Sequence, residues 1–244
     1  MIENASGLVA WDGVVFEPAE SIRGRHAVLE RFRSADHAAA IHAHNRADPE
    51  MWRYLPYGPF PGVQTYESWG FQAEASRDPC FYAIGHGGDW LGTGAAMRVD
   101  RANGVGEIGH LAFSPALQRS AVATEALHLL MDQFFEAGFR RVEWKCDAAN
   151  APSRRAAARL GFAYEGVFRQ HMVVKGANRD TAWFAILDHE WPAIRTAHRA
   201  WLDPGNFDAD GCQKTSLSDL VAAARRSIPR PAGSSDVSDR TRSG

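Results

Sequence analysis

The sequence predicts a single α/β domain, of the α+β kind, in which a mixed and mostly antiparallel central sheet is flanked by helices. The first observation is a series of three strand-like runs joined by the turn sequences Gly87-Gly88-Asp89 and Asn103-Gly104, which is typical of an antiparallel meander. These runs are Cys80–His86, Trp90–Val99 and Val105–Phe113. The second is the stretch from Glu107 to Phe162, whose order of strand, tight turn, helix and strand indicates a βαβ unit that extends the same sheet.

Length and composition agree with one domain and a tail. The chain has 244 residues, 45% of them hydrophobic, which is enough to bury a sizeable core. We predict an N-terminal arm over 1–24, the domain over 25–203 and a C-terminal extension over 204–228. The last segment, 229–244, is rich in Ser, Arg and Gly and is predicted to be disordered because it has few apolar residues to bury.

The remaining elements follow from local signals. Before the meander we predict a strand over Arg25–Phe32, a helix from Ser34 to about Arg46 with Ser34 as N-cap, a fresh helical start at Asp48-Pro49, and a helix from Thr65 to about Arg77. After the meander we predict a helix over Thr124–Ala137, a strand over Arg141–Asp147 and a short helix from Arg154 capped by Ser153. A pair of strands follows over Arg169–Lys175 and Thr181–Leu187. The last elements are a closing helix over Asp188–Leu202 and a helical candidate over Leu217–Arg226.

Charge and cysteine content exclude several classes of protein. A formal net charge of −2 argues against nucleic acid or an anionic membrane as the main partner, because such binding depends on clustered Lys and Arg. Three cysteines without a C-x-x-C spacing fit a reducing compartment and predict neither a disulfide framework nor a zinc site. Without a signal peptide or a membrane-spanning run, the chain is predicted to be cytoplasmic and to need no metal.

The turn of the βαβ unit has the properties of an anion site. The first N–H groups of a helix have no partner within it and carry partial positive charge, which suits a phosphate or diphosphate. Ser120, Ala121, Ala123 and Thr124 are small enough to allow close approach, and Arg119 can add a charge-assisted contact.

At these residues the chain resembles the GNAT acyl-CoA-dependent N-acetyltransferases, and within them the branch that acetylates the N-termini of ribosomal proteins. The family's pyrophosphate loop, Gln/Arg-x-x-Gly-x-Gly/Ala, is matched by Gln118-Arg119-Ser120-Ala121-Val122-Ala123, and Thr124-Glu125-Ala126 follows as in many members of that branch. An Asn-x-x-Ser motif before a helix that ends Leu-Gly-Phe is matched by Asn150, Ser153 and Leu160-Gly161-Phe162. The resemblance extends from Arg25 to Trp191.

The resemblance implies a GNAT-like fold, acetyl-CoA as cofactor and a set of cofactor-binding residues. These are Leu111, Ala112 and Phe113 on the strand, Gln118, Arg119, Ser120, Ala121, Val122, Ala123 and Thr124 in the loop, and Asn150, Ser153 and Arg155 around the short helix. Arg154 and Arg159 add to a basic face of that helix.

The chain departs from the family pattern at two places. Both loop glycines are replaced by Ala121 and Ala123, and Ala157 replaces the tyrosine with which many members protonate the departing thiolate, so the acid remains open.

Glu107 is the first candidate for the general base. In the resembling branches a glutamate at this distance before the loop takes a proton from the amine, and a half-buried carboxylate has a raised pKa that suits this work. The alternative is a rim carboxylate paired with Arg98 or Lys145. His110 is the second candidate, although a regular strand places it on the face opposite Glu107 unless a bulge intervenes. Cys146 is predicted to pack in the core.

The segment Trp52–Gly62 is rich in Pro, Gly and aromatic residues. Loops of this kind often line binding sites, so Trp52, Tyr54 and Tyr57 are candidates to contact the acceptor. The alternative is that Trp52, Tyr54 and Phe60 close an edge of the core. The polar hairpin end Lys175–Asp180 is expected to be solvated, or to touch the acceptor or a second subunit.

These observations predict an acetyl-CoA-dependent N-acetyltransferase that transfers acetyl directly to a primary amine in a ternary complex. The acceptor is either a small molecule, which the aromatic loop favours, or a protein N-terminal α-amine. The alternatives are a catalytically weak acyl-CoA-binding regulatory module and a nucleotide-binding turn, the latter lacking both G-x-G-x-x-G and G-x-x-x-x-G-K-[ST]. The oligomeric state is open, with a homodimer as one alternative.

Overall fold

The computed structural model describes residues 11–229. The first part of the predicted N-terminal arm and, apart from Pro229, the predicted disordered tail lie outside the described residues. Within them, no helix is long and apolar enough to cross a membrane.

An eight-stranded sheet forms the centre of the structure. The strands are β1 Ser21–Arg23, β2 Val28–Arg31, β3 Cys80–His86, β4 Asp89–Asp100, β5 Val105–Phe113, β6 Arg141–Asp147, β7 Ala163–Val174 and β8 Ala177–Leu187. Their order in the sheet is β1-β2-β3-β4-β5-β6-β8-β7. Every pair of neighbours is antiparallel except β5 and β6, which run parallel because the helix between them carries the chain back across the sheet. The predicted fold class, mixed and mostly antiparallel, is confirmed.

Helices cover both faces of this sheet. They are α1 Ser34–Asn45, α2 Val63–Ala75, α3 Ala121–Glu136, α4 Ala151–Arg159, α5 Trp191–Leu202 and α6 Leu217–Ser227, with 3₁₀ turns at Pro49–Trp52 and Pro204–Asn206. Strand β3 shows the division between the faces, because its residues alternate between two cores. Tyr82 and Ile84 pack in the core that includes α3 and α5, whereas Phe81 and Ala83 pack in the core that includes α1 and α2.

Several predicted element boundaries were wrong. Part of the predicted arm forms β1, which pairs with β2. Ser34 is the first residue of α1 and not its N-cap: it is buried, and its Oγ donates to Glu67 O of α2 at 3.0 Å, so it joins the two helices. Helix α2 begins at Val63, two residues before the predicted start, because Thr65 Oγ1 bonds back to the backbone of Gly62.

Glu125 of α3 holds the turn between β1 and β2. Its carboxylate accepts the backbone N–H groups of Arg25, His26 and Ala27 at 3.0, 2.5 and 2.6 Å, and only 6% of the residue is exposed. One buried side chain on a central helix thereby fixes the edge of the sheet and satisfies three donors that the turn leaves without a strand partner.

A buried histidine pair joins α3 to α5. His198 Nε2 lies 2.9 Å from Leu160 O, and its Nδ1 lies 3.3 Å from His128 Nδ1. Burial lowers the pKa of His128 to about 4 and that of His198 to about 3. Both imidazoles are therefore neutral in the folded protein at pH 7.

This pair predicts acid destabilisation below pH 6.5. Between pH 6.5 and about 4 the unfolded chain protonates both histidines and the folded chain neither, so each lowers the free energy of unfolding by about 1.4 kcal/mol per pH unit as the pH falls. We expect His128→Gln to remove about half of the pair's contribution to this slope, measured by urea unfolding from pH 7 to 4.5. His189→Gln, at an exposed site, is the control. An unchanged slope in the His128 variant would contradict the assignment.

Candidate active site

Strands β5 and β6 lie side by side but pair over only a short stretch. The pairs are Val105 with Arg141, Gly106 with Val142 and Glu107 with Glu143. Past Glu107 the two strands separate, and a cavity of about 190 Å³ opens between them. From these strands it is lined by Glu107, His110, Leu111, Lys145 and Cys146, among others.

A bulge in β5 brings the two candidate bases to one cavity. Thr93 pairs with Ala112 and Ala95 pairs with Gly109, so two residues of β5 face one residue of β4. The first of these two residues of β5, His110, has the left-handed φ of +51°. Glu107 and His110 could share a site only if the strand contained a bulge. That bulge is present, and both side chains line the cavity.

Glu107 is buried where the strands begin to separate, with 4% of the residue exposed. Its Oε2 lies 3.2 Å from Arg98 Nη1 and 3.0 Å from Lys145 Nζ. Burial raises the pKa of Glu107 above its ordinary value, and the two cations oppose that rise. Both ion pairs expected of Glu107 as a rim carboxylate are formed, and both involve Oε2. The side chain of Glu107 also lines the cavity.

His110 is a neutral imidazole bound to a neutral phenol. Its Nδ1 lies 3.1 Å from Tyr57 Oη, and the two rings are nearly parallel. Burial, assisted by the charges of Arg98 and Arg179, lowers the pKa of His110 to about 4. Burial raises the pKa of Tyr57, so its hydroxyl keeps its proton. Within the described chain, Nε2 is the ring nitrogen of His110 that has no hydrogen-bond partner.

The next strand contributes a fixed ammonium and a protonated thiol. Lys145 Nζ lies 3.0 Å from Glu107 and 2.5 Å from Glu143, and it sits 4.0 Å from the centre of the Trp183 ring. Cys146 packs in the core with 5% exposure, and burial raises the pKa of its thiol. A thiol of this kind is a poor nucleophile at neutral pH.

The start of α3 explains how the loop dispenses with glycine. The helix begins at Ala121, so Ala121 and Ala123 have helical conformations and need no positive φ. The left-handed residue of the turn is instead Arg119, with φ of +57°. Ser120 is the N-cap, and its Oγ accepts the N–H of Ala123 at 3.0 Å.

Four successive backbone N–H groups remain at this end of α3. Those of Arg119, Ser120, Ala121 and Val122 have no acceptor among residues 11–229. Adjacent N–H groups at a helix N-terminus are the kind of donor set that binds a diphosphate. The segment therefore fits the cofactor that the resemblance implies.

The end of β5 leads directly to this loop. Beyond Glu107 the edge of β5 that faces β6 pairs with no strand of the described chain, so its backbone groups are free to bond an extended ligand. Leu111 lines the cavity, whereas Ala112 is buried in the core beneath α1 and α2. Gln118 Nε2 donates to Phe113 O at 2.8 Å and so ties the loop to the strand.

Two polar side chains border the cavity at the start of α4. Asn150 is the N-cap of a helix that begins at Ala151, and its Oδ1 accepts the N–H of Ser153 at 3.1 Å. The prediction that Ser153 caps a helix from Arg154 was therefore wrong. Ser153 Oγ instead accepts from Trp144 Nε1 at 3.0 Å, and both Asn150 and Ser153 line the cavity.

The predicted basic face of α4 is divided. Arg155 is exposed, as is Arg154. Arg159 is half-buried: it donates to Thr124 Oγ1 at 3.2 Å and stacks 4.8 Å from the centre of the Trp201 ring. Thr124 is buried, and this bond from Arg159 joins α4 to α3.

The aromatic loop serves more than one purpose. Trp52 is 3% exposed and packs against Phe60 and Tyr66 in the core, as the alternative interpretation expected. Tyr54 lines the cavity, and its Oη donates to Ala149 O at 3.3 Å. Tyr57 does not line the cavity and acts on it through His110.

Several lining residues were not named from the sequence: His171, Thr181 and the apolar groups of Met51, Leu55, Met172 and Val174. Two others were anticipated in part, Arg98 as a partner of Glu107 and Arg179 as part of the hairpin end Lys175–Asp180 that could touch the acceptor. Arg98 enters because β4 bulges after Met97, where Arg98 has φ of +48°. The predicted strand began at Thr181 and therefore left out Arg179. Because β8 begins at Ala177, strand alternation places Arg179 on the same face as Thr181 and Trp183.

Comparison with known proteins agrees with this geometry. A family model described as an acetyltransferase (GNAT) domain matches residues 26–163. A GCN5-related N-acetyltransferase of Brucella melitensis is 42% identical, with a TM-score of 0.85 over 87% of this chain and 99% of that one. An uncharacterised N-acetyltransferase, p20, of Bacillus licheniformis is 27% identical over 157 residues, which are 59% of this chain and 84% of its own.

A more distant structure shares the fold alone. Mycobacterium smegmatis RimJ, solved with CoA-disulfide, is 24% identical and has a TM-score of 0.58, with 82% of this chain and 90% of that chain covered. The match of the family model over more than half of the chain, together with the Brucella relative, decides the family. The chain belongs to the GNAT acetyltransferases and is an acetyl-CoA-dependent acyltransferase.

Proposed function

We propose that this protein transfers acetyl from acetyl-CoA directly to a small primary amine bound beside Glu107 and His110. The observation that carries the proposal is that these two side chains line one cavity where β5 and β6 separate, next to a helix N-terminus with free N–H groups. Binding both reactants in one cleft can supply much of the acceleration, because an acyl thioester is already activated.

The cofactor would be held by backbone more than by side chains. The N–H groups from Arg119 to Val122 would bind its diphosphate, and the free edge of β5 at Leu111 would bind its extended arm. Asn150 stands across the cavity, where its amide can meet the same arm. When bound, acetyl-CoA supplies the activated acyl group, and the protein excludes water and fixes the geometry.

Glu107 is the base that we propose. An amine attacks only after losing its ammonium proton, and a buried carboxylate with a raised pKa accepts that proton more readily than an ordinary glutamate. Arg98 and Lys145 hold Oε2 in place, so the side chain is oriented before the amine arrives. His110, with a pKa of about 4, is the weaker base and would align the amine through Nε2.

The walls of the cavity favour a small acceptor over a protein N-terminus. Met51, Leu55 and Met172 are apolar and lie beside the charged groups. Tyr54 closes one side through its bond to Ala149 O. A peptide chain would have to displace this contact in order to enter.

An acceptor screen with acetyl-CoA tests the proposal. Release of free thiol is measured for a panel of amines, amino acids and peptides beginning with different residues, and CoA binding is measured by calorimetry in parallel. We expect turnover with small amines and little with peptides. Tight CoA binding without turnover on any amine would overturn the enzymatic proposal and favour the regulatory CoA-binding module.

A further inference from the structure

The charges that line the cavity do not balance locally. Five residues of charged type line it: Arg98, Glu107, Lys145, Asp147 and Arg179. Arg98 and Lys145 are both paired with Glu107, and Lys145 also with Glu143. Arg179 forms no ion pair with any described residue, and its Nε is buried without an acceptor.

The remaining carboxylate does not neutralise Arg179 by contact. Asp147 Oδ1 accepts the N–H of Ala149 at 2.8 Å, and no oxygen of Asp147 lies within ion-pair distance of the guanidinium. A buried N–H without an acceptor is costly, and a carboxylate that accepts two parallel N–H groups of the guanidinium, Nε–H among them, would offset that cost. Arg179 therefore offers a binding site for a planar anion at this cavity.

Arg179 stands across the cavity from the bases. Cross-strand pairs place Lys145 beside Trp183 and Asp147 beside Thr181. Arg179, two residues before Thr181, lies on the same face of β8. His110 projects from β5, on the other side, and the charge of Arg179 is near enough to lower its pKa. A ligand that spans the cavity can present an amine at one end and an anion at the other.

We propose that Arg179 binds a carboxylate of the acceptor, so that the substrates of this enzyme are small amines that carry a carboxylate group and an apolar portion. This inference rests on the proposed function. The amine end lies beside Glu107 and His110, the carboxylate accepts from the guanidinium of Arg179, and the apolar portion contacts Met172 and Val174. The amine nitrogen forms an amide bond to the acetyl carbon while the thioester C–S bond breaks, so that CoA leaves as its thiol. Glu107 accepts a proton from the nitrogen, the departing thiolate takes one up, and the carboxylate of the acceptor is unchanged.

Matched pairs of acceptors test this assignment. Leucine is compared with isopentylamine, phenylalanine with phenethylamine, 4-aminobutyrate with butylamine, and 6-aminohexanoate with hexylamine, which together vary the spacing between amine and carboxylate. We expect kcat/KM to favour the carboxylate in at least one pair. In Arg179→Gln that preference should fall by about 10- to 100-fold, and Arg179→Lys should restore part of it.

The ratio of the two kcat/KM values in a pair is compared between the unmodified protein and Arg179→Gln. The intrinsic reactivity of each amine is the same in both proteins, so it cancels. Arg169→Gln is the control, because Arg169 is an exposed arginine on neighbouring β7 that does not line this cavity. If neutral amines are acetylated as well as their carboxylate counterparts in every pair, or if Arg179→Gln lowers both members equally, the anion site is overturned while the acetyltransferase function stands. Absence of turnover on every amine would instead count against the proposed function.

Discussion

Glu107→Gln is expected to lower kcat by about 10²- to 10⁴-fold, the contribution that a positioned general base makes. The amide fills the same space but cannot accept a proton from the amine. Thiol release under saturating acetyl-CoA measures the effect. CoA affinity should change little, because Glu107 lies at the acceptor side and not at the free N–H groups of α3.

Glu143→Gln is the matched control for this experiment. Glu143 is a buried glutamate that also contacts Lys145, but it does not line the cavity. Its replacement disturbs the same ion-pair network and should leave most of kcat. Equal losses in the two variants would mean that the network, and not proton transfer at Glu107, supports the reaction.

The pH profile distinguishes the two candidate bases. A base works in its deprotonated form, so kcat/KM should fall as the pH drops through the pKa of Glu107, which burial raises above the ordinary glutamate value. In Glu107→Gln this fall of kcat/KM at low pH should be absent. If kcat/KM of that variant still falls near pH 4, the base is His110, whose pKa is about 4.

Glu125→Ala is expected to lower the free energy of unfolding by about 3–5 kcal/mol, since three backbone donors lose a charged acceptor at once. The N–H of Ala27 suffers most, because that residue is 1% exposed and water reaches it poorly. Urea unfolding measures the change. In Glu125→Ala we also expect the backbone amides of β1 and β2 to exchange hydrogen faster than those of β4 and β5, because the turn between β1 and β2 is no longer held by the carboxylate.

Glu136→Ala on the same helix is the control for stability. Glu136 pairs with Arg195 at a largely exposed position, and such surface pairs contribute about 0–1 kcal/mol. A loss in Glu125→Ala no larger than in Glu136→Ala would show that water or a neighbouring group replaces the carboxylate at the turn.

Much of the fold was accessible from the sequence because local signals and hydrophobic pattern agreed. The turns at Gly87-Gly88 and Asn103-Gly104 combine positive-φ glycines with flanking strands, and the sheet follows from them. Boundaries were wrong where a long-range contact overrode a local preference. Ser34 has the chemistry of an N-cap, yet it bonds to Glu67 across a helix–helix contact that no local pattern encodes.

The candidate site was accessible only in part. Glu107 and His110 belong to a strand whose neighbours in sequence indicate its place, and their convergence requires one bulge, which is present. Arg179 was identified only as part of the hairpin end Lys175–Asp180, with contact to the acceptor as one alternative, because its role depends on where β8 lies relative to β5, two strands away in the sheet. Trp52 was ambiguous because aromatic residues serve cores and binding sites equally well, and the structure buries it.

A crystal structure of the protein with CoA would locate the cofactor relative to the start of α3 and to Glu107. We expect the diphosphate at the backbone N–H groups of Arg119 to Val122, with the arm along the edge of β5 and the sulfur in the cavity within reach of an amine beside Glu107. CoA bound elsewhere, or a gap between β5 and β6 closed by side chains such as Leu111 and Cys146, would contradict the account.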